Sequence, residues 1–373
     1  MEDNSNTLEA SRKRIDRIDS KLIDLLAERH SEVNKVLEYK KAKGLPVRHP
    51  AREEDMISRR RSHGISRELD PDYLEELFRT ILRQSRVDQT ESKSENGVRP
   101  DATVLIVGGT GGMGKYYADW FVKSGYKTRI LGSRDWDNAE SLCDGIDLAL
   151  ISVPIDKTAP IIEQITPYLP ENAVLADLTS IKKAPMRAMI KSHKGPVLGT
   201  HPLFGPTMDK QIIVITPGRD RQACKWFIDQ LSEWGAIIVE SDEEEHDRIM
   251  AVVQALRHFA TFTFGKFLFE QKIDLFRSLE FSSPIYRLEL GMVGRLFAQD
   301  PDLYSGIIFA SSERRSILKS YISSMMELTD MIDNTNKDDF KKQFNGIAEW
   351  FGPFSEQAMR ESTFLIEKLI ERF

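Results

Sequence analysis

The chain has 373 residues, and its 58 acidic side chains outnumber its 52 lysines and arginines, which gives a formal net charge of −6. This length predicts two or three domains, and the acidic balance argues against a nucleic-acid-binding protein. No apolar run approaches the length of a membrane span. The cysteines, Cys143 and Cys224, have neither metal-site spacing nor a disulfide framework, and the polar N-terminus does not resemble a signal peptide. We therefore expect a cytoplasmic protein with reduced thiols and no bound metal.

Residues 1–90 form the first predicted unit, which is entirely helical. Leu8, Ile15 and Leu22 recur every seven residues, as expected for one long amphipathic helix that runs to about Ala42 and ends at Gly44 and Pro46. A second helix is predicted from Pro50 to near Gly64, and Asp70-Pro71 is typical of the start of a third. The first helix is too long to bury its apolar stripe against two shorter ones. We therefore expect an intertwined homodimer.

Residues 91–101 are polar and predict a linker. Strands and helices then alternate over residues 102–240, which predicts a doubly wound parallel sheet of the Rossmann type. The predicted strands are Val104–Val107, Thr128–Leu131, Leu148–Val153, Ala173–Ala176, Val197–Leu198, Ile212–Ile215 and Ile237–Val239. Residues 241–373 show only helical periodicity. They predict an all-α domain that closes the substrate site and carries dimer contacts.

The first strand of this sheet leads directly into a glycine-rich turn. Gly109, Gly111 and Gly114 have the G-x-G-x-x-G spacing between a buried strand and a helix. Glycines let the backbone approach a pyrophosphate, and the helix N-terminus offers unpaired N–H groups. We expect Gly112 and Met113 to belong to the same site. A tight strand–helix turn without a ligand is the less favoured alternative.

The end of the second strand bears on the choice between NAD and NADP. An NAD site usually has an acidic residue there for the ribose hydroxyls. The chain instead has Gly132, followed by Ser133 and Arg134, two residues that suit a 2′-phosphate. Asp135 reaches the ribose only by a longer route. These residues leave NADP open.

Several charged residues of the first unit occupy helix positions on or near the apolar stripe, where buried residues are expected. Arg29 and Lys40 are eleven residues apart and so face the same way along a helix, whereas Arg12 points about 100° away and suits a pocket across a dimer. Arg52 and Glu53 open the second helix, and Gln89 closes the third. From the residues alone, a dianion pocket and solvated surface charge are equally favoured.

A second group of candidates follows the sheet strands. Ser180 and His201 come after successive strands, where open α/β sheets bind ligands, and a neutral histidine there can accept a hydroxyl proton. His246 and His258 are twelve residues apart on a predicted helix, so a shared metal is disfavoured.

Two arginines lie in an apolar segment of the last domain. Arg287 and Arg295 are surrounded by apolar residues and are candidates for binding a carboxylate. An internal ion pair with Glu289 or Asp300 is the alternative for Arg287.

The helical unit resembles the AroQ-type chorismate mutases. The matching segments are Leu8 to Arg29, Lys40, Pro46-Val-Arg48 and Ala51-Arg-Glu53. This family rearranges chorismate to prephenate without a covalent intermediate. The protein holds a compact dianion and stabilises charge on the breaking ether oxygen.

The resemblance implies a role for each charged residue of the helical unit. Three arginines would bind the carboxylates of the substrate: Arg29, Arg52 and the partner subunit's Arg12. Lys40 and Gln89 would donate to the ether oxygen, and Glu53 would bind the substrate hydroxyl.

The remainder of the chain resembles the prephenate dehydrogenases, and the whole chain resembles the bifunctional chorismate mutase/prephenate dehydrogenases. The specific segments are Gly199-Thr-His-Pro-Leu-Phe-Gly-Pro206, Ala255-Leu-Arg-His-Phe-Ala-Thr261 and Ser282-Ser-Pro-Ile-Tyr-Arg-Leu-Glu-Leu290. The resemblance implies oxidative decarboxylation of prephenate to 4-hydroxyphenylpyruvate with NAD, and tyrosine as a feedback ligand.

Four site residues of this half take their roles from the same resemblance. His201 would accept the proton of the C4 hydroxyl, and Ser180 would orient His201 and the nicotinamide side. Arg295 would hold the ring carboxylate, and His258 would lie near the pyruvyl side chain.

Three alternatives remain. The chain could be an arogenate dehydrogenase with a regulatory mutase-like domain, a tyrosine-responsive scaffold, or a dehydrogenase for a 3-hydroxy acid. The charged site residues of the first unit are all present, which argues against an inactive mutase domain. A dehydrogenase for a 3-hydroxy acid would not explain their presence.

Overall fold

The computed structural model describes residues 2–43, 50–93, 97–203 and 211–370. Its first part consists of three helices: α1 (Glu2–Lys43), α2 (Pro50–Ile65) and α3 (Pro71–Lys93). These helices confirm the predicted ones, although Gly44 and Pro46 lie outside the described residues. The Asp70 carboxylate accepts hydrogen bonds from the backbone N–H groups of Asp72 (2.7 Å) and Tyr73 (3.2 Å), as expected of an N-cap.

Helices α2 and α3 pack closely and are joined by ion pairs. A Cβ on Gly64 would lie 2.0 Å from the Leu74 side chain, which would have to move to make room for it. Arg61 binds Glu75 at 2.5 Å, and Arg79 binds Glu54 at 3.1 Å. Helix α1, by contrast, leaves its apolar stripe uncovered within one chain, with Ile15 54% exposed and Leu22 53% exposed.

The end of the predicted linker is attached to the sheet domain. Helix α3 continues to Lys93, so the linker's first residues are helical. The backbone N–H of Val98 donates to Gln230 Oε1 at 2.7 Å, and Arg99 pairs with Asp147 at 2.7 Å. These contacts fix the point at which the chain enters the sheet domain.

The central domain is a seven-stranded sheet of order β2-β1-β3-β4-β5-β6-β7. Its strands are β1 (Thr103–Val107), β2 (Lys127–Leu131), β3 (Leu148–Ile151), β4 (Val174–Asp177), β5 (Val197–Pro202), β6 (Ile212–Pro217) and β7 (Ile237–Glu240). Its helices are α4 (Gly112–Lys123), α5 (Ala139–Cys143), α6 (Ile155–Ile165), α7 (Lys183–Ser192) and α8 (Arg221–Glu233). All seven predicted strands are therefore present.

Alternate residues of each strand face two separate cores. Val104 and Ile106 pack with α4 and α8 on one face, while Leu105 and Val107 pack towards α5, α6 and α7 on the other. Helices thus cover both faces, as a doubly wound sheet requires.

One pair of strands departs from the parallel prediction. Strands β5 and β6 are antiparallel, with His201 opposite Val214. Only residues 203–211 separate the two strands, whereas a parallel connection needs about a dozen or more residues. The prediction of a wholly parallel sheet is wrong at this pair, because the connection is too short for a crossover.

The third part is helical, as predicted. Its helices are α9 (Glu243–Met250), α10 (Arg257–Glu270), α11 (Leu275–Glu280), α12 (Pro284–Phe297), α13 (Pro301–Phe309), α14 (Ser312–Asp333), α15 (Lys337–Phe351) and α16 (Pro353–Ile370). A wide π-helical turn, Ala251–Leu256, joins α9 to α10. Among the described residues, no helix combines the length and apolarity needed to cross a bilayer.

Candidate active sites

The glycine-rich turn after β1 has the shape of a phosphate cradle. Gly108 has a φ of +86°, which suits glycine, and a Cβ on Gly114 would lie 2.4 Å from the Gly108 carbonyl oxygen. A Cβ on Gly109 would lie 2.9 Å from Ile130, so these glycines let the helix pack against the strands. Nothing in the described chain lies within 4 Å of a Cβ on Gly112, where α4 begins.

The N-terminus of α4 is open to a ligand. No side chain caps the helix at Gly111, so the first turn, which includes Met113, presents its N–H groups to the space in front of Gly112. This combination of bare backbone and a positive helix end fits a pyrophosphate. The predicted cofactor residues Gly109, Gly111, Gly112, Met113 and Gly114 all belong to this turn.

The structure brings a carboxylate, that of Asp135, back to the end of β2. From the sequence, this residue lies beyond the usual position of the acidic side chain that binds the ribose. The Asp135 side chain turns back, and its Oδ2 accepts a hydrogen bond from the Gly132 N–H at 2.8 Å. A Cβ on Gly132 would lie 3.8 Å from Thr110, so this loop borders the glycine turn. Ser133 and Arg134 are exposed beside it.

His201 lies near the end of β5 and is almost fully buried, with 3% of its surface exposed. Its Nδ1 is 2.9 Å from Nε2 of His246 on α9, and its Nε2 is 3.1 Å from Nε2 of Gln254 in the π-helical turn. The His246 Nδ1 is in turn 2.8 Å from the Asp247 carboxylate. Burial lowers the pKa of His201 well below 6.5, assisted by the positive charges of Lys182 and Arg314. His201 is therefore a neutral base at neutral pH.

A buried ion pair supports this cluster from within the sheet. Lys182 and Asp177 are fully buried, with 2.6 Å between Nζ and Oδ2. Lys182 Nζ also donates to the Thr200 carbonyl at 2.8 Å, immediately before His201. Burial lowers the pKa of Lys182, although the Asp177 carboxylate acts in the opposite direction. The pair joins the ends of β4 and β5.

Ser180 is placed differently from its predicted role. The Ser180 Oγ is buried without a hydrogen-bond partner among the described residues, whereas His246 and Gln254 hold the His201 ring. The predicted role of Ser180 in orienting His201 gains no support from these contacts, because both ring nitrogens of His201 have other partners in this structure. The Ser180 carbonyl accepts a hydrogen bond from buried Arg314 at 2.9 Å.

The helical domain brings further predicted residues to the same neighbourhood. The His258 ring meets the Tyr304 ring edge-on, with 4.9 Å between centroids. Burial and the positive charges of Arg257 and Arg314 lower the pKa of His258. Arg295 lies close enough to Tyr304 to act on its pKa, which burial raises overall.

Arg287 lies apart from this group. Its guanidinium donates to the Leu279 carbonyl at 2.9 Å and lines an apolar groove of about 840 Å³ between α10, α11 and α12. The predicted substrate role of Arg287 gains no support from these contacts.

In the helical front domain, Arg29 of α1 is hydrogen-bonded to α3. Its Nη1 donates to the Ser85 hydroxyl on α3 at 2.7 Å. Burial lowers the pKa of Arg29, and the nearby charge of Arg60 adds to the effect. Arg12 and Arg52 are exposed and Glu53 is half-buried, whereas the side chains of Lys40 and Gln89 lie outside the described part of the structure. Ser85 and Arg60 were not predicted from the sequence.

Sequence reasoning also missed the side chains around His201. His246 and Gln254 contact its ring, Asp247 contacts His246, and the charge of Arg314 assists burial in lowering the pKa of His201. The sequence analysis did consider His246, but only to disfavour a metal shared with His258. In the described ranges, no three His, Cys, Asp or Glu residues are grouped to hold a metal ion.

Comparison with protein families divides the chain as its structure does. Residues 11–90 match the chorismate mutase type II family. Residues 126–240 match the nucleotide-binding domain of prephenate dehydrogenase, and residues 242–346 match its dimerization domain.

Two relatives span nearly the whole chain. The T-protein of Enterobacter agglomerans is 41% identical over 96% of this chain and 97% of its own length. The T-protein of Haemophilus influenzae is 39% identical over 96% of each. Among solved structures, prephenate dehydrogenase from Aquifex aeolicus, in complex with hydroxyphenyl propionate and NAD+, is 19% identical. It covers 66% of this chain and 96% of its own, with a TM-score of 0.55, which shows a common fold.

These matches set aside the scaffold, the 3-hydroxy-acid dehydrogenase and the arogenate dehydrogenase with an inactive front domain. Because two T-proteins match over almost their full length, the chain belongs to the T-protein family of bifunctional chorismate mutase/prephenate dehydrogenases.

Proposed function

We propose that the two reactions of this family are divided between two sites in the chain. Residues 1–90 carry the mutase, residues 102–240 bind the cofactor, and residues 241–373 complete the prephenate site and the dimer, with 91–101 as a linker. The observation that carries the dehydrogenase assignment is His201, which is buried and neutral at the end of β5.

In the mutase site, Arg29 is the residue best prepared to bind a carboxylate. Its hydrogen bond to Ser85 fixes the guanidinium in a half-buried position, where a carboxylate is bound more strongly than in water. Arg52 and the partner subunit's Arg12 supply further positive charge. Lys40 and Gln89 donate to the ether oxygen, and Glu53 takes the substrate hydroxyl, as in the mutases that the sequence resembles.

In the dehydrogenase site, His201 accepts the proton of the C4 hydroxyl of prephenate. A cofactor held at the glycine turn would supply the acceptor for the C4 hydride, and the C–CO₂ bond would break as the ring becomes aromatic, which would release CO₂ and 4-hydroxyphenylpyruvate. Arg295 holds the ring carboxylate, and His258 lies near the pyruvyl group beside Tyr304. Ser180 has a buried hydroxyl without a hydrogen-bond partner among the described residues, which is therefore available to a bound substrate or cofactor.

The cofactor is NAD, which supplies the hydride acceptor when bound. The glycine turn fits its pyrophosphate, and the Asp135 carboxylate at the end of β2 fits its ribose hydroxyls. Ser133 and Arg134 border this position, so they are the residues that would contact the 2′-phosphate of NADP.

The active protein is a homodimer. The uncovered stripe of α1 and the apolar groove lined by Phe269 and Phe276, which are 82% and 85% exposed, both favour a second copy of the chain. Arg287 belongs to this groove. The enzyme works in the cytoplasm, which agrees with its two buried, unpaired thiols, Cys143 and Cys224.

Tyrosine acts as a feedback inhibitor of the dehydrogenase. It shares a para-hydroxylated ring and a three-carbon acid side chain with the dehydrogenase product. The groups that would bind that product, Arg295, His258 and His201, are therefore suited to bind tyrosine.

A coupled assay tests the whole assignment. The purified protein is mixed with chorismate as the only organic substrate and with NAD or NADP, and the reduced nicotinamide is followed by its absorbance. Signal from chorismate is expected, with NAD preferred and with inhibition by added tyrosine. Signal from prephenate alone would remove the mutase assignment, and turnover of arogenate alone would remove the prephenate assignment.

A further inference from the structure

The two ring nitrogens of His201 have different partners, and this difference defines where its proton lies. The Asp247 carboxylate accepts hydrogen bonds from the backbone N–H groups of Lys182 (2.7 Å) and Lys183 (3.1 Å). A carboxylate that is already held as an anion can only accept, so His246 must donate to it from Nδ1.

The rest of the proton arrangement follows from this first assignment. Burial lowers the pKa of both His246 and His201, so both rings are neutral. Neutral His246 then has a bare Nε2, which accepts from the Nδ1–H of His201. The Nε2 of His201 is left without a proton, as a general base requires.

Gln254 covers this bare nitrogen. Its Nε2 lies 3.1 Å from Nε2 of His201, and only the amide NH₂ end can donate there. The other end, Oε1, is buried without a hydrogen-bond partner within the described residues. The side chain is therefore held at one end only, so that releasing His201 costs a single hydrogen bond.

The backbone around Gln254 is unusual as well. The side chain projects from the π-helical turn Ala251–Leu256, and such turns are rare and occur frequently at functional sites. The neighbours Val252 and Val253 are about half exposed, whereas Gln254 turns inward. The turn thus directs one amide towards the base.

We propose that Gln254 positions the substrate hydroxyl in the dehydrogenase reaction. In the free enzyme its N–H caps the lone pair of His201 Nε2. When prephenate binds, the C4 hydroxyl enters between the two side chains, accepts the Gln254 N–H on its oxygen and donates its proton to His201. The amide thereby selects the hydroxyl orientation from which the proton is transferred.

Two substitutions separate this role from simple packing. Gln254→Met keeps the volume and removes the donor, and Gln254→Glu replaces the donor by an acceptor. Both substitutions leave the other charged and titratable groups around His201 and His246 in place. These groups are His246 and Asp247 on α9, Lys182 and Asp177 near the strand ends, and Arg314 on α14. Val253→Ala on the same turn is the matched control, and mutase activity reports that the chain is folded.

We expect Gln254→Met to lower the dehydrogenase kcat about tenfold or more, within the range for a positioned proton transfer, with a smaller change in KM. In Gln254→Glu, the acid limb of kcat/KM moves to higher pH by about one unit, because a carboxylate beside the ring favours the imidazolium. Val253→Ala keeps both activities. Wild-type kcat in Gln254→Met, or an unmoved acid limb in Gln254→Glu, overturns the proposal.

A binding measurement provides a readout independent of turnover. 3-(4-Hydroxyphenyl)propionate and 3-phenylpropionate differ only in the ring hydroxyl and serve as competitive inhibitors. The wild-type enzyme should prefer the hydroxylated acid, and Gln254→Met should lose about fivefold of that preference, as for one neutral hydrogen bond. An unchanged preference would show that Gln254 does not contact the hydroxyl.

Discussion

The Nδ1 of His201 and the Nε2 of His246 are 2.9 Å apart, and this contact leaves the opposite nitrogen of His201 available to a substrate. The contact joins the end of β5 to the first helix of the C-terminal domain. The proposed base of the dehydrogenase is therefore oriented by a domain other than the one that carries it.

Replacement of the base tests whether the two activities use separate sites. His201→Asn removes the proton acceptor without adding volume, so the dehydrogenase is expected to lose at least about 100-fold in kcat, in the range for general base catalysis. Mutase activity should remain at the wild-type level. Equal loss of both activities would contradict the two-site assignment.

The pH dependence of the dehydrogenase follows from the burial of His201. Only neutral His201 accepts a proton, and its pKa lies well below 6.5 because burial, assisted by the positive charges of Lys182 and Arg314, disfavours the imidazolium. Activity is therefore retained as pH falls to 6.5 and is lost at lower pH. The check is kcat/KM for prephenate measured across this range, and an acid limb above 6.5 would show that the ring is less buried in solution.

In the mutase site, Arg29→Ala should remove a carboxylate-binding group that is held by Ser85. A charge-assisted hydrogen bond contributes about 1.5–3 kcal/mol, so mutase kcat/KM is expected to fall about 10–100-fold. Arg59→Ala, which removes an exposed cation on α2, is the control. Dehydrogenase activity with added prephenate should be unchanged, and a mutase unaffected by the loss of Arg29 would exclude the residue from the site.

Cofactor choice is expected to depend on Asp135. Asp135→Ser removes the carboxylate that accepts the Gly132 N–H and reduces repulsion of a 2′-phosphate. We predict a KM for NAD raised by about tenfold, as for a lost charged hydrogen bond, and a lower KM for NADP. The ratio of kcat/KM for the two cofactors is the measurement. If that ratio stays constant, discrimination lies elsewhere.

The buried Asp177–Lys182 pair makes a prediction about stability. Lys182→Met leaves the Asp177 carboxylate buried without its cation, and breaking a pair in this way costs about 3–5 kcal/mol. The double variant Asp177→Asn/Lys182→Met should recover part of that loss. Denaturant unfolding measures both, and a double variant no more stable than Lys182→Met would show that the charges are not coupled.

The sequence predicted those features that repeat or that have local signatures. The seven strands, the three front helices, the Asp70 cap and the glycine turn all follow from periodicity and from residues near one another in the chain. The direction of β6 did not follow, because alternation of apolar residues is the same in parallel and antiparallel strands. The length of the connection after β5 was the available signal.

The partners of the site residues were harder to predict, since they come from distant parts of the chain. His201 was identified from its position after a strand, but its contacts with His246 and Gln254 join residues more than forty positions apart. Ser180 lies in the loop after β4, yet its buried hydroxyl has no hydrogen-bond partner among the described residues. Asp135 lies three residues beyond the usual ribose position, and its side chain turns back to accept the Gly132 N–H.

In the proposed homodimer, the uncovered stripe on α1 would make the mutase sensitive to dilution. A helix whose Ile15 and Leu22 remain more than half exposed in one chain would gain its stability from a second copy, so that stability would depend on protein concentration. The sheet domain has two complete cores within each chain and carries no such dependence. On dilution below the dissociation constant of the dimer, the front domain would therefore unfold first, while the sheet domain remained folded.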